Sequence, residues 1–271
     1  MLLDGTAGTY DVTAMVASAP AYRLYMANDG DGLAKRSYLL QVAATKADNG
    51  GLDRGAFLLD RFKESADAYD AEYAKTHERK RLHHDRLYPA LVESFVSHEQ
   101  GGRRVNVLSL TDVDDILRVL PLANVVRKDR LRIDPETSAW IMGRLLKLLN
   151  FTHGEGVLNQ ALSARNVLLD PEQHYAVTLD WSAARIFPGV VPAEFAVTDI
   201  AGAASAAFEA IGGDVATETW PYDGHEPYVS LLRQFMRGCE SDASNAHDVF
   251  YELVRAEYGN QFHPFTTLPL A

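Results

Sequence analysis

Leu58, Phe62, Ala66, Tyr69 and Tyr73 recur at intervals of four and three, the stripe of one amphipathic helix, inside a stretch that otherwise reads as strands. That single change of period constrains the fold more than any other feature. Before it, Tyr10 to Ala17, Tyr22 to Ala27 and Ser37 to Ala43 are apolar runs separated by turn-forming residues, among them Asn28-Asp29-Gly30-Asp31-Gly32. Gly50-Gly51 precedes the helix and a charged segment from Lys75 to Arg86 follows it. Leu91 to Val96 and Val105 to Leu110 read as two more strands around a Gly101-Gly102 hairpin. The order is three strands, one helix, two strands: a small antiparallel sheet carrying one helix.

From about residue 111 the pattern turns helical. Asp134 is a predicted N-cap with Pro135 at the first helical position, opening a helix through Trp140, Leu145, Leu148 and Leu149. Val167 to Leu169 and Tyr175 to Leu179, separated by a polar turn at Pro171 to His174, predict a β-hairpin. Further helices are expected over Asp199 to Ile211, stopped by Gly212-Gly213, over Tyr228 to Arg237 and over Ala246 to Tyr258, with an extended tail from Gln261. The predicted class is α+β, in two lobes: 1–110, sheet plus helix, and 111–271, mainly helical.

Composition excludes several functions. With 47% hydrophobic residues in 271, the chain can bury a sizeable core. A net charge of -11 argues against a nucleic-acid partner bound through a general basic field, although Arg79-Lys80-Arg81 is a local patch. One cysteine, Cys239, excludes an intramolecular disulfide and a multi-thiolate zinc site, and fits a reducing compartment. The start Met-Leu-Leu-Asp-Gly lacks a signal-peptide pattern, and the nearest long apolar run, Ile200 to Ile211, is short and holds Glu209. A cytoplasmic protein without a membrane partner is the expectation. The nine histidines form no tight metal spacing; His83 and His84 are adjacent and face different ways. Ser163 lacks a G-x-S-x-G elbow.

The most specific segment is Asn159-Gln160-Ala161-Leu162-Ser163-Ala164-Arg165-Asn166, followed by the apolar Val167-Leu168-Leu169. It resembles the catalytic loop of protein kinases, H-R-D-L-x-x-x-N, and the H-G-D-L-S-x-x-N form of small-molecule phosphotransferases. Fourteen residues beyond Asn166 stands Asp180, after the predicted hairpin, where kinases place D-F-G, and Asp199-Ile200-Ala201-Gly202 resembles the start of the helix that anchors the loop. The resemblance spans roughly Tyr10 to Tyr258. The stretch from Tyr258-Gly259 to Pro264-Phe265 is also similar to kinase-like proteins of bacteria and their phages.

Phosphoryl transfer rests on positioning and charge neutralisation. By the resemblance, Ala17-Ser18-Ala19-Pro20-Ala21-Tyr22 stands where a kinase has its glycine-rich loop, and it holds no glycine. Pro20 has no N–H to offer a phosphate. Gln41 stands where the strand lysine is expected, and a neutral amide cannot offset phosphate charge. Ala161 replaces the catalytic aspartate, removing a base that contributes about 10²- to 10⁴-fold.

Asn166 and Asp180 match the metal-binding asparagine and aspartate, so the resemblance implies that ATP and Mg2+ could still bind through Gln41, Asn166 and Asp180. Asn166 as a backbone cap and Asp180 as a turn former is the other reading. Glu64 matches the helix glutamate but has no lysine to pair with, and Asp199 is expected to be a structural anchor. The segment from Asp180 to Asp199 is short for a peptide-docking loop. The expected function is a pseudokinase that binds a protein partner. An active phosphotransferase with Lys35 or Lys46 as relocated lysine and Glu155 or His153 near the missing base is the second expectation. A structural protein that binds no nucleotide is the third.

Overall fold

A computed structural model of the chain describes residues 1–29, 36–77, 81–113, 116, 119–170 and 175–259. The turn residues Gly30 to Gly32, Lys35, Arg79-Lys80, the turn at Pro171 to His174 and the tail from Gln261 lie outside them. The chain divides into two compact units: Met1–Leu117 with Asp180–Ala183, and Arg118–Leu179 with Ala184–Ala271.

The first unit is a six-stranded antiparallel sheet with one long helix. Its strands are β1 (Leu2–Asp4), β2 (Thr9–Ser18), β3 (Tyr22–Asp29), β4 (Ser37–Ala43), β5 (Ala90–Ser97) and β6 (Arg103–Ser109), ordered β1-β2-β3-β4-β6-β5. The five predicted strands are all present; the short edge strand β1 is additional. One sheet face buries Leu3, Tyr10, Leu40, Val42, Val105 and Val107 together. Side chains alternate along a strand, so Leu39 and Gln41 of β4 point to the opposite face.

Helix α1 (Asn49–Ala74) covers that face, burying Leu52, Gly55, Ala56, Leu58, Leu59, Phe62 and Ala66. Gly50-Gly51 does not precede the helix as the turn chemistry predicted; both glycines lie within its first turn. The N-terminal loop is pinned by Glu93 on β5, which accepts from the backbone N–H of Thr6 and Ala7 and from the Tyr10 hydroxyl.

The second unit is mainly helical. Asp134 caps α2 (Pro135–Gly154) by accepting from the Thr137 N–H at 2.8 Å, with Pro135 at the first position as predicted. The predicted hairpin forms as β9 (Val167–Asp170) and β10 (Tyr175–Thr178), with β7 (Leu120–Pro121) added beside β9. The two-residue strands β8 (Val157–Leu158) and β11 (Arg185–Ile186) pair with each other. Helix α3 runs Ala193–Ala210, beginning six residues before Asp199, because Pro192 supplies an extended N-cap residue there. Helices α4 (Glu226–Met236) and α5 (Ala243–Tyr258) complete the unit. Its core joins α2, α3, α4 and α5 through residues such as Leu145, Leu149, Ile200, Phe208, Tyr228, Leu232 and Phe250. Among the described residues no helix is long and apolar enough to cross a membrane.

Candidate functional site

In the first unit, β4 brings Gln41 against Asp180. Gln41 Nε2 donates to Asp180 Oδ1 at 2.9 Å. The Ser182 N–H donates to the same oxygen at 3.0 Å, and the Ser182 hydroxyl donates to Oδ2 at 3.0 Å. Gln41 pairs across the sheet with Asn106 of β6. The Asn106 amide donates to Leu52 O in α1 at 2.9 Å and to Gln41 Oε1 at 3.4 Å, while Ser94 Oγ donates to Asn106 Oδ1 at 2.7 Å. The result is a polar chain from half-buried Ser94, which also accepts from Arg104 Nη1 at 2.8 Å, through buried Asn106 and Gln41 to Asp180, with the neutral Gln41 amide as the link to the aspartate. In a site of low polarity such a chain holds only if its members are satisfied together.

The backbone of residues 181–182 lies close against α1, and glycine makes this approach fit. A Cβ on Gly51 would stand 3.3 Å from Ser182 O, and one on Gly55 3.5 Å from Ser182 N. Arg54 Nη1 donates to Ser182 O at 2.9 Å, and Trp181 packs edge-on to Phe62 with centroids 4.8 Å apart. Glu64, matched by resemblance to the helix glutamate, is exposed on the far side of α1 and takes no part.

The glycine-free loop is closed on itself. Ala19 N–H donates to Tyr22 O at 2.9 Å, and Arg23 Nη1 donates to Ala19 O and Tyr22 O. Tyr22 is buried; that burial, with the Asp180 charge adding to it, pushes its hydroxyl above the usual tyrosine range. Lys46 lays its stem over Gly102 at the β5–β6 turn, since a Cβ there would meet Lys46 Cε at 2.6 Å.

In the second unit, Asp199 anchors the loop that carries Ala161. Its carboxylate accepts from the backbone N–H of Asn159 at 2.7 Å and of Gln160 at 2.9 Å, and His153 Nε2 lies 3.1 Å from Oδ2. His153 is thereby engaged with Asp199. Gln160 takes a left-handed conformation, φ 63°, which a residue other than glycine adopts at a cost. Asn159 Oδ1 accepts from the Ala161 N–H at 3.0 Å and from Asn166 Nδ2 at 3.4 Å. Asn166 O accepts from Leu179 N–H at 3.0 Å, tying the loop to the end of the hairpin. Helix α3 crosses closely here: a Cβ on Gly202 would stand 2.4 Å from Leu162 O.

Asn106 and Gly55 were not singled out from sequence, and Tyr22, Asn159 and Gly51 were named there only as parts of their segments, without these contacts. Only the glycine pair left a signal, a spacing of four on the helix. Both Asp180 oxygens hold neutral hydrogen bonds, the expected lysine is an amide, and Pro20 interrupts the loop amides. Among the described residues no group of three or more His, Cys, Asp or Glu side chains is placed to hold a metal ion.

No family model and no curated protein matches the chain. Solved structures do: one is the structure of vaccinia related kinase 3, similar at a TM-score of 0.63 and 14% identity over 98% of this chain and 94% of that one. An identity this low speaks for the backbone alone, and with the sheet-plus-helix unit and the helical unit already described it shows that the chain has the bilobal protein-kinase-like fold.

Proposed function

We propose that the chain is a pseudokinase, a kinase-like module that works by binding a protein partner and not by transferring phosphate. The observation that carries this reading is the Gln41–Asp180 hydrogen bond. Where a kinase keeps a cation for phosphate charge, this chain keeps a neutral amide, and that amide is spent on the aspartate a kinase uses for metal. Charge neutralisation is the main service a phosphoryl-transfer enzyme provides, so replacing the lysine removes more than a hydrogen bond. Ala161 supports the reading independently from the second unit, because a methyl group neither accepts a proton nor orients a hydroxyl. On this reading magnesium–nucleotide is at most a weak ligand.

The test is incubation of the full chain with γ-labelled ATP, magnesium and generic protein and small-molecule acceptors, with thermal unfolding recorded in parallel with and without ATP and magnesium. No label transfer is expected. A ligand at one hundred times its Kd stabilises by about 2.7 kcal/mol, and the expected shift is well below that. Transfer of label that disappears in Asp180→Ala would overturn the proposal and favour a phosphotransferase with relocated groups.

A further inference from the structure

In the second unit, the C-terminal end of α2, the segment that enters α3 and the start of α5 surround a cavity of about 400 Å³. That lies within the roughly 300–1,000 Å³ of small-molecule clefts. The Val191 N–H donates to His153 O at 2.9 Å and holds the approach to α3 against the last turn of α2. Val191, Ala196 and Ala243 are buried and give the cavity apolar walls. Its polar groups are Asn150 and His153 of α2, and Ser241, Asp242 and Ser244 at the start of α5.

His153 is 6% exposed, and its ring is held from the inner side, with Nε2 3.1 Å from Asp199 Oδ2. Both Asp199 oxygens accept backbone N–H groups, from Asn159 and Gln160, so the carboxylate faces the ring as an acceptor and Nε2 carries the proton. In the neutral ring Nδ1 is then a bare acceptor. It points in roughly the opposite direction from Nε2, toward the cavity side, since Asp199 is not part of the lining. Nδ1 is buried and no donor meets it. Buried acceptors in native proteins are nearly always paired.

The second acceptor is Asp242. Its Oδ1 caps α5 by accepting from the Ser244 N–H at 2.8 Å and the Asn245 N–H at 3.2 Å, and Oδ2 has no partner among the described residues. Among the described residues no lysine or arginine lines the cavity. The last turn of α2 presents its carbonyls, the negative end of that helix. The positive end of α5 is answered by Asp242, and that of α3 by Glu194 in its first turn. The local field therefore favours a cation and opposes an anion. A primary ammonium has three donors, enough for Asp242 Oδ2, His153 Nδ1 and the exposed Asn150 amide oxygen.

We propose that this cavity binds a primary ammonium on a short alkyl body, with Asp242 reading the charge and His153 Nδ1 accepting one N–H. Nδ1 is closed to water, so the ligand meets it through a small tilt of the ring. The alkyl body lies on Val191, Ala196 and Ala243. A donor on Nδ1 polarises the imidazole and strengthens the Nε2–H bond to Asp199, the residue that holds the Ala161 loop at Asn159 and Gln160.

The test is amide and imidazole NMR of the isotope-labelled full chain at pH 7 and constant ionic strength. It is titrated with n-butylammonium, with butyrate, and with Nα-acetyl-lysine N-methylamide. For so small a probe, saturation by n-butylammonium is expected with a Kd of about 1 mM. The amide signals of Asn150, Ala193 and Ser244 and the Nδ1 signal of His153 should move, and hydrogen exchange at Asn159 and Gln160 should slow. Butyrate should move none of these. Asp242→Asn keeps a good N-cap residue and removes the charge, and should weaken the amine at least about ten-fold. Tighter binding of the blocked lysine assigns the ammonium to a peptide side chain, and tighter binding of n-butylammonium assigns it to a free amine; either supports the proposal. Absence of saturable shifts at Asn150, Ala193 and Ser244 overturns it. So do equal binding of butyrate, an unchanged affinity in Asp242→Asn, and a His153 Nδ1 signal that stays fixed while the amides move. If Asp242→Asn does not fold, the butyrate comparison and the His153 signal of the parent decide.

Discussion

Gln41→Leu tests whether the polar chain holds residues 180–183 to the first unit. The substitution keeps the approximate volume and removes both amide atoms. Its main loss is the 2.9 Å donation to Asp180 Oδ1, a hydrogen bond to a charged group, worth about 1.5–3 kcal/mol. The second loss is small: the Asn106 amide gives up a long 3.4 Å contact but keeps Leu52 O at 2.9 Å. Against these stands a gain below about 1 kcal/mol from burying a few more apolar atoms. The net expectation is a destabilisation of about 2 kcal/mol, or a fall in Tm of roughly 4–8 °C for a chain of this size.

Urea and thermal denaturation of the parent, Gln41→Leu and Gln41→Lys at pH 7 measure it. Gln41→Lys puts an ammonium group opposite Asp180 and is expected to keep more of the parent's stability than Gln41→Leu. If Gln41→Leu unfolds within about 0.5 kcal/mol of the parent, the size of an ordinary surface substitution, the Gln41–Asp180 bond contributes nothing to stability and the argument built on it is wrong.

Two glycines on neighbouring elements should respond oppositely. Gly202→Ala forces a Cβ to within 2.4 Å of the Leu162 carbonyl and should cost about 1–3 kcal/mol. Gly154→Ala meets nothing within 4 Å at the end of α2 and should be neutral or stabilise by up to about 1 kcal/mol, both read by urea midpoints. Asp199→Asn leaves a bound N–H without an acceptor charge and should destabilise the second unit by about 2–3 kcal/mol, with faster hydrogen exchange at Asn159 and Gln160. For Glu93, burial alone would raise the carboxyl pKa, but hydrogen bonds from Thr6, Tyr10 and Ala7 outweigh it and hold it below the usual range. A depressed folded pKa means the contribution is present above the unfolded value of about 4.3 and is lost as pH falls through the folded one. Stability measured from pH 7 downward should therefore fall less steeply in Glu93→Gln than in the parent.

The parts of the fold legible in the sequence are those set by local chemistry. The α2 start was readable because Asp134 and Pro135 are an adjacent cap and first-turn pair. The hairpin over Val167–Thr178 was readable because two apolar runs flank a polar turn. The loop at Asn159 to Asn166 was readable by resemblance, and its anchoring by Asp199 follows the same resemblance.

What stayed hidden depends on neighbours distant along the chain. Asn106 lies sixty-five residues from Gln41, and nothing in either segment announces the pairing. The role of Gly51 depends on a backbone segment 131 residues later, so the turn propensity of Gly50-Gly51 misplaced the helix start. The exposure of Glu64 was in fact present in the stripe: two residues beyond Phe62 is about 200° around the helix, opposite the buried face.

Residues 180–183 belong to the first unit although the chain has already entered the second, and this matters for synthesis on the ribosome. Trp181 fills space beside Phe62, so a nascent chain that has emerged only as far as residue 117 lacks a core residue of the unit it has apparently finished. At about 5–20 residues per second, the missing piece follows some 3–13 s later. During that interval the α1 face that receives Trp181 is an open apolar surface. A nascent-chain proteolysis series should therefore find α1 protected only in chains long enough to expose Ala183, and an excised 1–117 fragment inherits the same gap permanently.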